Sequence, residues 1–279
     1  MARFVRVKNL SPWRKLALVF WKSPVDPTVY GWYDFDVTTA LDYLAKQNAN
    51  SPVKLTLTHY VARAMAITIA KYPMINGIIR WGHIYLRQSI DILLQVAIQE
   101  IQGMHGDQLS GAKINNIDKK SIVAIAEELS RTASNIRNNK DPQFNKQFAI
   151  TRLVPNFVLK GIIKLNEFLV YDLGLSCPAL GFVDDPFGSA MLTSVGSLDC
   201  PPGLAPLVPP SRCPFLICIG RVEKKPWVVP GVNGENDRIE VKPVMRFTAT
   251  FDHRFLDGLT ASKMFKTFLE VLYNPDKYF

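Results

Sequence analysis

The sequence predicts an α+β fold, a mixed β-sheet flanked by helices. Two observations carry that class. Segments with helical apolar spacing (56–72, 120–138, 155–171, 259–273) interleave with segments of strand character (33–37, 78–81, 84–87, 91–99, 190–195, 215–222, 241–251). The strand candidates are also too irregularly spaced for a doubly wound parallel sheet, and no internal repeat is present. The chain has 279 residues, 48% hydrophobic and 20% charged, which is enough to bury a substantial core.

Residues 1–34 read as an N-terminal arm, punctuated by Pro12, Pro24 and Pro27 and carrying Trp13, Trp21 and Trp32, with a short helix over Leu16 to Trp21. A strand follows from Tyr33 to Val37, then a helix that starts near Asp36 or Thr38 and contains Ala40, Leu41, Tyr43 and Leu44. From Thr56 the apolar positions Leu57, Val61, Met65, Ile67 and Ile69 define a long helix that Pro73 ends. Ile78 to Trp81 and Ile84 to Arg87 read as a hairpin turning at Gly82-His83, and Asp91 to Gln99 as a further strand. Residues 102–118 read as a polar loop. Lys120 to Asn138 predicts a second long helix, and Pro155 to Tyr171 a third with Lys160 and Lys164 on its polar side. A loop-rich stretch leads to Pro186 and three strands, and Leu259 to Tyr273 closes the chain as an amphipathic helix before Asn274-Pro275.

The formal net charge is +9, which favours acidic or phosphorylated ligands. The basic residues are dispersed, with no arginine-rich tract interleaved with aromatics, so nucleic acid is not expected as a partner. Cys177, Cys200, Cys213 and Cys218 form no C-x-x-C pair, and no His/Cys spacing suits zinc, so no metal is expected. No signal peptide is recognisable, and buried reduced thiols in a cytoplasmic protein are the expectation. The apolar-rich stretch Leu153 to Leu175 is interrupted by Lys160, Lys164, Glu167 and Asp172, which argues against a membrane span.

One segment combines a titratable imidazole, a carboxylate at fixed spacing and a glycine: Asp252-His253-Arg254-Phe255-Leu256-Asp257-Gly258. Met245, Phe247, Ala249 and Phe251 alternate with polar residues, so His253 sits at the end of a strand, on a turn. An imidazole there suits a general base near neutral pH. Asp257 is too near in sequence to be a free-standing second catalyst and reads as a clamp, pairing with an arginine to hold the loop. Gly258 frees the backbone where the loop enters the helix. His59, His83 and His105 have no comparable setting and read as structural.

This segment resembles the D-H-R-x-x-D-G signature of the acyltransferase catalytic domain of the 2-oxo acid dehydrogenase complexes, a relative of chloramphenicol acetyltransferase. Further pieces agree in order: Pro12 to Ala17 with the family's opening basic helix, Tyr33 to Thr38 with its first strand, Lys71 to Asn76 with a K-x-P-x-x-N helix end, and Asp118 to Ile122 with the next helix start. Pro209-Pro210, Gly220-Arg221-Val222 and Asn274-Pro275 fit the remaining landmarks. Gly188 to Gly196 resembles the family's G-T-F-T-I-S/T-N-x-G. Anchored on Gly196, Thr193 takes the hydroxyl position and Ser194 replaces the usual Asn; a register slip of one would give Ser194 that role.

The resemblance implies a chloramphenicol acetyltransferase-like fold used as a trimeric building block. It implies coenzyme A as substrate, with His253 removing the proton from a coenzyme A or dihydrolipoyl thiol and a Thr193 hydroxyl stabilising the oxyanion. The histidine of one subunit would meet the hydroxyl of its neighbour, and coenzyme A and the lipoyl arm would enter the interface channel from opposite ends. Arg14 stands where the family places the arginine paired with the motif aspartate, so Arg14 with Asp257 is the expected clamp. A homotrimer is implied, and trimers could assemble further.

Three departures are expected. The chain starts at the catalytic domain, so no lipoyl group is expected on it, and a lipoyl-bearing protein would act in trans. The G-L-x-x-P-V strand expected before Asp118 is missing, with Gly106 to Asn116 in its place. About forty extra residues form an inserted segment at about 139–187 within a catalytic domain of 35–279. This insert could cover the channel, add a trimer contact or rest on a membrane surface; oligomer packing is the default. The alternatives to a lipoyl-directed acyltransferase are a stand-alone enzyme with a small hydroxyl or amine acceptor and a non-catalytic core or scaffold subunit.

Overall fold

The computed structural model describes residues 11–12, 26–98, 108–138, 154–175, 185–231 and 236–279. Arg14, the helix expected over Leu16 to Trp21, His105 and Cys177 lie outside the described residues. Among the described residues six strands form one mixed sheet: β1 (Thr28–Asp36), β4 (Ile92–Ile98), β5 (Gln108–Ile114), β6 (Ala190–Ser194), β7 (Phe215–Val229) and β8 (Arg238–Asp252). Their order is β1-β8-β7-β6-β4-β5. Only β4–β6 and β6–β7 pair in parallel. A separate hairpin joins β2 (Gly77–Arg80) to β3 (His83–Leu86). Its turn lies at Trp81-Gly82, both at positive φ, one residue before the expected position.

Among the described residues the helices are α1 (Thr38–Asn48), α2 (Leu57–Lys71), α3 (Ile122–Arg137), α4 (Asn156–Glu167), α5 (Gly258–Tyr273) and α6 (Pro275–Tyr278). The long helices form where helical apolar spacing and a capping residue coincide. Asp36 accepts the Thr38 amide at 2.9 Å in a turn that leads into α1, and Ser121, the N-cap of α3, accepts the Ala124 amide at 3.2 Å. The main core lies between the sheet and α1, α2, α3 and α5. It includes fully buried Phe35, Tyr60, Met65, Ile92, Ile217 and Val271. Burying each such side chain contributes about 1.5–3 kcal/mol. Tyr60 donates its hydroxyl to the Leu272 carbonyl, which ties α2 to α5 through the core. A smaller cluster of Leu93, Met191, Cys213, Leu216 and Cys218 packs under the proline-rich segment of 201–211. Thr248 and Thr250 of β8 donate to the carbonyls of Gly203 and Ala205, both at 2.7 Å, and lace that segment to the sheet.

The structure corrects several expectations. β1 begins at Thr28 and pairs with β8 along its whole length, so the sheet starts inside the stretch read as an arm, and a boundary at 34/35 would cut a strand. Residues 108–114 are not loop; they form the edge strand β5 in register with β4, within the Gly106 to Asn116 stretch that stands in place of the G-L-x-x-P-V strand. Its Gln-Leu-Ser-Gly-Ala-Lys-Ile sequence carries weak strand propensity. Gly111 nonetheless fits, because a Cβ there would lie 2.6 Å from Leu93. β7 and β8 run on to Val229 and back from Arg238, a longer ribbon than the sequence suggested. The helix expected from Pro155 to Tyr171 ends at Glu167 and continues as a π-helical turn over Phe168–Asp172.

Candidate active site

His253 lies one residue past β8, in a turn that is fixed on both sides. Its backbone amide donates to the Pro27 carbonyl at 2.9 Å, and the Asp252 amide donates to the Pro214 carbonyl at 2.9 Å. The Asp252 carboxylate, 6% exposed, accepts the Arg254 amide at 2.9 Å and the Arg254 guanidinium through Nε at 3.0 Å and Nη2 at 2.6 Å. This fork closes the turn on itself. Phe255 and Leu256 then plunge into the core, leaving His253 exposed at the apex.

Asp257 is the N-cap of α5: its Oδ1 accepts the Thr260 amide at 2.7 Å. That bond holds its carboxyl below the usual carboxylate range, with a smaller contribution from the nearby His253 ring. So the carboxylate that clamps the loop within the described residues is Asp252, with Arg254, and Asp257 secures the helix behind it. Arg14, the expected partner of Asp257, lies outside the described residues. The expectation for Gly258 does not hold. It is the first residue of α5, its φ is not positive, and a Cβ there would meet nothing within 4 Å. Sequence reasoning missed Asp252 and Arg254 because their roles depend on which side chains the turn buries.

Thr193 lies on β6, paired with Cys218 of β7, and is half-buried. Thr193 and Ser194 both line a cleft of about 600 Å³ together with His59, Gln95, Leu129 and Leu204. The strand end is fixed by Gly196: a Cβ there would lie 2.3 Å from the Gly220 carbonyl oxygen, so only glycine lets the two backbones approach. His59, read from sequence as a structural helix residue, also faces this cleft. Its Nδ1 accepts the Thr56 amide at 3.0 Å at the start of α2, and burial pushes its pKa down to about 4.

His253 and Thr193 do not meet within one chain. Thr193 is level with Cys218, and Cys218 is level with Thr248 on β8. His253 lies five residues further along β8, roughly 17 Å along the strands and about 10 Å across them. Each group stands at an opposite end of the sheet.

A second cleft, of about 500 Å³, adjoins the motif and is lined by Asp252, Arg254 and Phe255, with Glu167, Asp172 and Arg212 opposite. The far wall is the segment that carries α4. It is fastened by Arg212, whose guanidinium forks onto Asp172 at 2.8 and 2.6 Å, and by the Tyr171 hydroxyl, which donates to Asp185 at 3.1 Å. Arg87 in turn donates to Asp185 and to the Gly77 carbonyl at 2.7 Å. Among the described residues no group of three His, Cys, Asp or Glu side chains could hold a metal ion, and no helix is long and apolar enough to cross a membrane.

Similarity to known proteins supports the same fold and places the motif in context. The chain is 25% identical over 230 residues to the dihydrolipoyllysine-residue acetyltransferase component 2 of the pyruvate dehydrogenase complex of Arabidopsis thaliana, covering 82% of this chain and 33% of the relative. It is 23% identical over 251 residues to the dihydrolipoyllysine-residue succinyltransferase component of the 2-oxoglutarate dehydrogenase complex of Staphylococcus saprophyticus, covering 87% of this chain and 46% of the relative. The chain thus spans between a third and just under half of these relatives' length. Among solved structures, dihydrolipoamide acetyltransferase of Azotobacter vinelandii superposes with a TM-score of 0.64 at 17% identity, covering 91% of this chain and 84% of that one. The sequence model of the 2-oxoacid dehydrogenases acyltransferase (catalytic domain) matches residues 18–147 and 187–279, leaving 148–186 between them unmatched. Because that model matches most of its length, the chain belongs to the 2-oxoacid dehydrogenases acyltransferase (catalytic domain) family.

Proposed function

We propose that this protein is an acyltransferase that moves an acyl group between coenzyme A and a dihydrolipoyl thiol carried on another polypeptide. The observation that carries the reading is the His253 loop, whose imidazole is held out from a turn locked by Asp252, Arg254, Phe255 and Leu256. His253 removes the thiol proton, and the thiolate attacks the thioester carbonyl carbon. The developing oxyanion accepts the Thr193 hydroxyl, which has no other partner among the described residues; Ser194, on the same cleft, is the substitute donor. Collapse of the tetrahedral species expels the other sulfur, which takes the proton back from the imidazolium. Asp257 acts on the loop rather than on the reacting atoms.

The two ends of this machinery lie about 20 Å apart in one chain, by the strand spacings above. The active site is therefore read as formed between subunits, His253 from one and Thr193 from its neighbour, in a homotrimer that larger assemblies can incorporate. Residues 139–187 are read as an insertion into the catalytic domain, and Glu167 and Asp172 within it line the cleft beside the histidine loop. The free thiols of Cys200, Cys213 and Cys218 suit a reducing compartment, and we place the protein in the cytoplasm.

The test is acyl transfer from acyl-coenzyme A to free dihydrolipoamide, wild type beside His253→Ala. Transfer that disappears in the variant while the assembly persists supports the reading. An intact assembly without transfer to any thiol, alcohol or amine refutes catalysis; turnover of an alcohol or amine alone moves the acceptor assignment to a stand-alone acyltransferase.

A further inference from the structure

The two clefts divide the charge between them. The one beside the histidine loop is lined by Asp26, Glu167, Asp172, Arg212, Asp252 and Arg254. The one that contains Thr193 is lined, among the described residues, by no Lys, Arg, Asp or Glu. Its apolar wall includes Val96, Leu129, Ala133 and Leu204, and its polar atoms belong to hydroxyls, Gln95 and His59. A carboxylate placed there would lose part of its hydration and gain no counter-charge from the described residues of its own subunit, which is costly.

His59 is the distinctive polar member. It is 7% exposed, and its Nδ1 accepts the Thr56 amide, so the neutral ring carries its proton on Nε2. Nε2–H has no partner among the described residues and is the one donor that the ring of this cleft-lining residue has to offer. The low pKa that burial imposes keeps the ring neutral at physiological pH, so it can donate a hydrogen bond without offering a positive charge to an acid.

We propose that the cleft beside Thr193 is the acyl pocket, that it selects an uncharged acyl group over one ending in a carboxylate, and that His59 is its hydrogen-bonding contact. This deepens the acyltransferase reading, on which the use of Thr193 rests. The relatives include both acetyl- and succinyl-transferring components, so neither choice follows from membership of the family.

The experiment measures binding by calorimetry and then turnover, with the full protein and acetyl-, isobutyryl- and succinyl-coenzyme A as probes. Binding and transfer of the two uncharged acyl groups should exceed those of succinyl by about tenfold or more. Equal or better binding of succinyl-coenzyme A overturns the pocket assignment. No binding of any probe overturns it together with the acyltransferase reading. Selective binding without transfer to any acceptor sinks only the acyltransferase reading.

Two variants isolate His59. His59→Glu keeps an acceptor for the Thr56 amide but removes the donor and adds a charge; His59→Gln keeps both acceptor and donor. His59→Glu should weaken binding of the uncharged acyl-coenzymes by about tenfold relative to free coenzyme A, and His59→Gln should recover most of the loss. If His59→Glu folds and shifts acyl-coenzyme and free coenzyme A affinities equally, His59 is only a cap and its role as a contact is refuted.

Discussion

Mixing two inactive variants should restore activity. His253→Ala removes the proposed base and Thr193→Ala the proposed oxyanion donor, so in the proposed homo-oligomer each variant is disabled at every site. The strand register separates the two side chains by about 20 Å within a chain. Both must reach the same tetrahedral centre, and hydrogen-bond reach on either side of it spans only about 6 Å. One chain cannot supply both groups to one reaction. In a cyclic oligomer each site would take His253 from one subunit and Thr193 from the next. When the variants are co-assembled at equal ratio, about a quarter of sites pair an intact His253 with an intact Thr193. Denaturing the two together, refolding them and assaying transfer to dihydrolipoamide should give about a quarter of the wild-type rate, against near-background rates for either parent. Tagging one variant and isolating hybrids on the tag verifies that mixed oligomers formed. Verified hybrids as inactive as their parents would refute the inter-subunit site.

Other predictions address single groups. Thr193→Ala should reduce kcat by roughly 10²–10³ while Ser194→Ala has a smaller effect; the reverse ranking would move the oxyanion donor to Ser194. Because burial depresses the His59 pKa from 6.5 to about 4, the folded state binds fewer protons than the unfolded state between those values. Its stability is therefore kept above pH 6.5 and lost as pH falls toward 4, by about 2 kcal/mol between pH 7 and pH 5. Denaturant titrations at fixed protein concentration should show that loss in wild type and much less of it in His59→Gln. Arg212→Ala removes the fork onto Asp172 and should loosen 154–175 by about 2 kcal/mol, seen as faster hydrogen exchange in α4 with the sheet unchanged. Asp257→Asn keeps a capping acceptor and should preserve both Tm and activity, whereas Asp257→Ala should lower them together.

The amino-acid pattern alone located the long helices, because α2 and α5 combine helical apolar spacing with clear stops at Pro73 and Asn274-Pro275. It also singled out His253, since a histidine where a strand ends and a helix begins is a local feature of the chain. Local pattern could not find β5, whose sequence is weakly strand-like and which exists because β4 offers an edge. Nor could it assign the carboxylates, since Asp252 and Asp257 differ in role only through what lies around them. Asp252 is buried and closes the turn with Arg254, while Asp257 stands at the end of a helix. The position of His59 beside Thr193 needed packing between elements 134 residues apart in sequence. Sequence determined which residues could do chemistry, through residue type and local spacing. Only the tertiary structure decided which of them share a cleft, because proximity between distant segments is set by sheet order and register. That register holds His253 and Thr193 at opposite ends of the sheet in one chain.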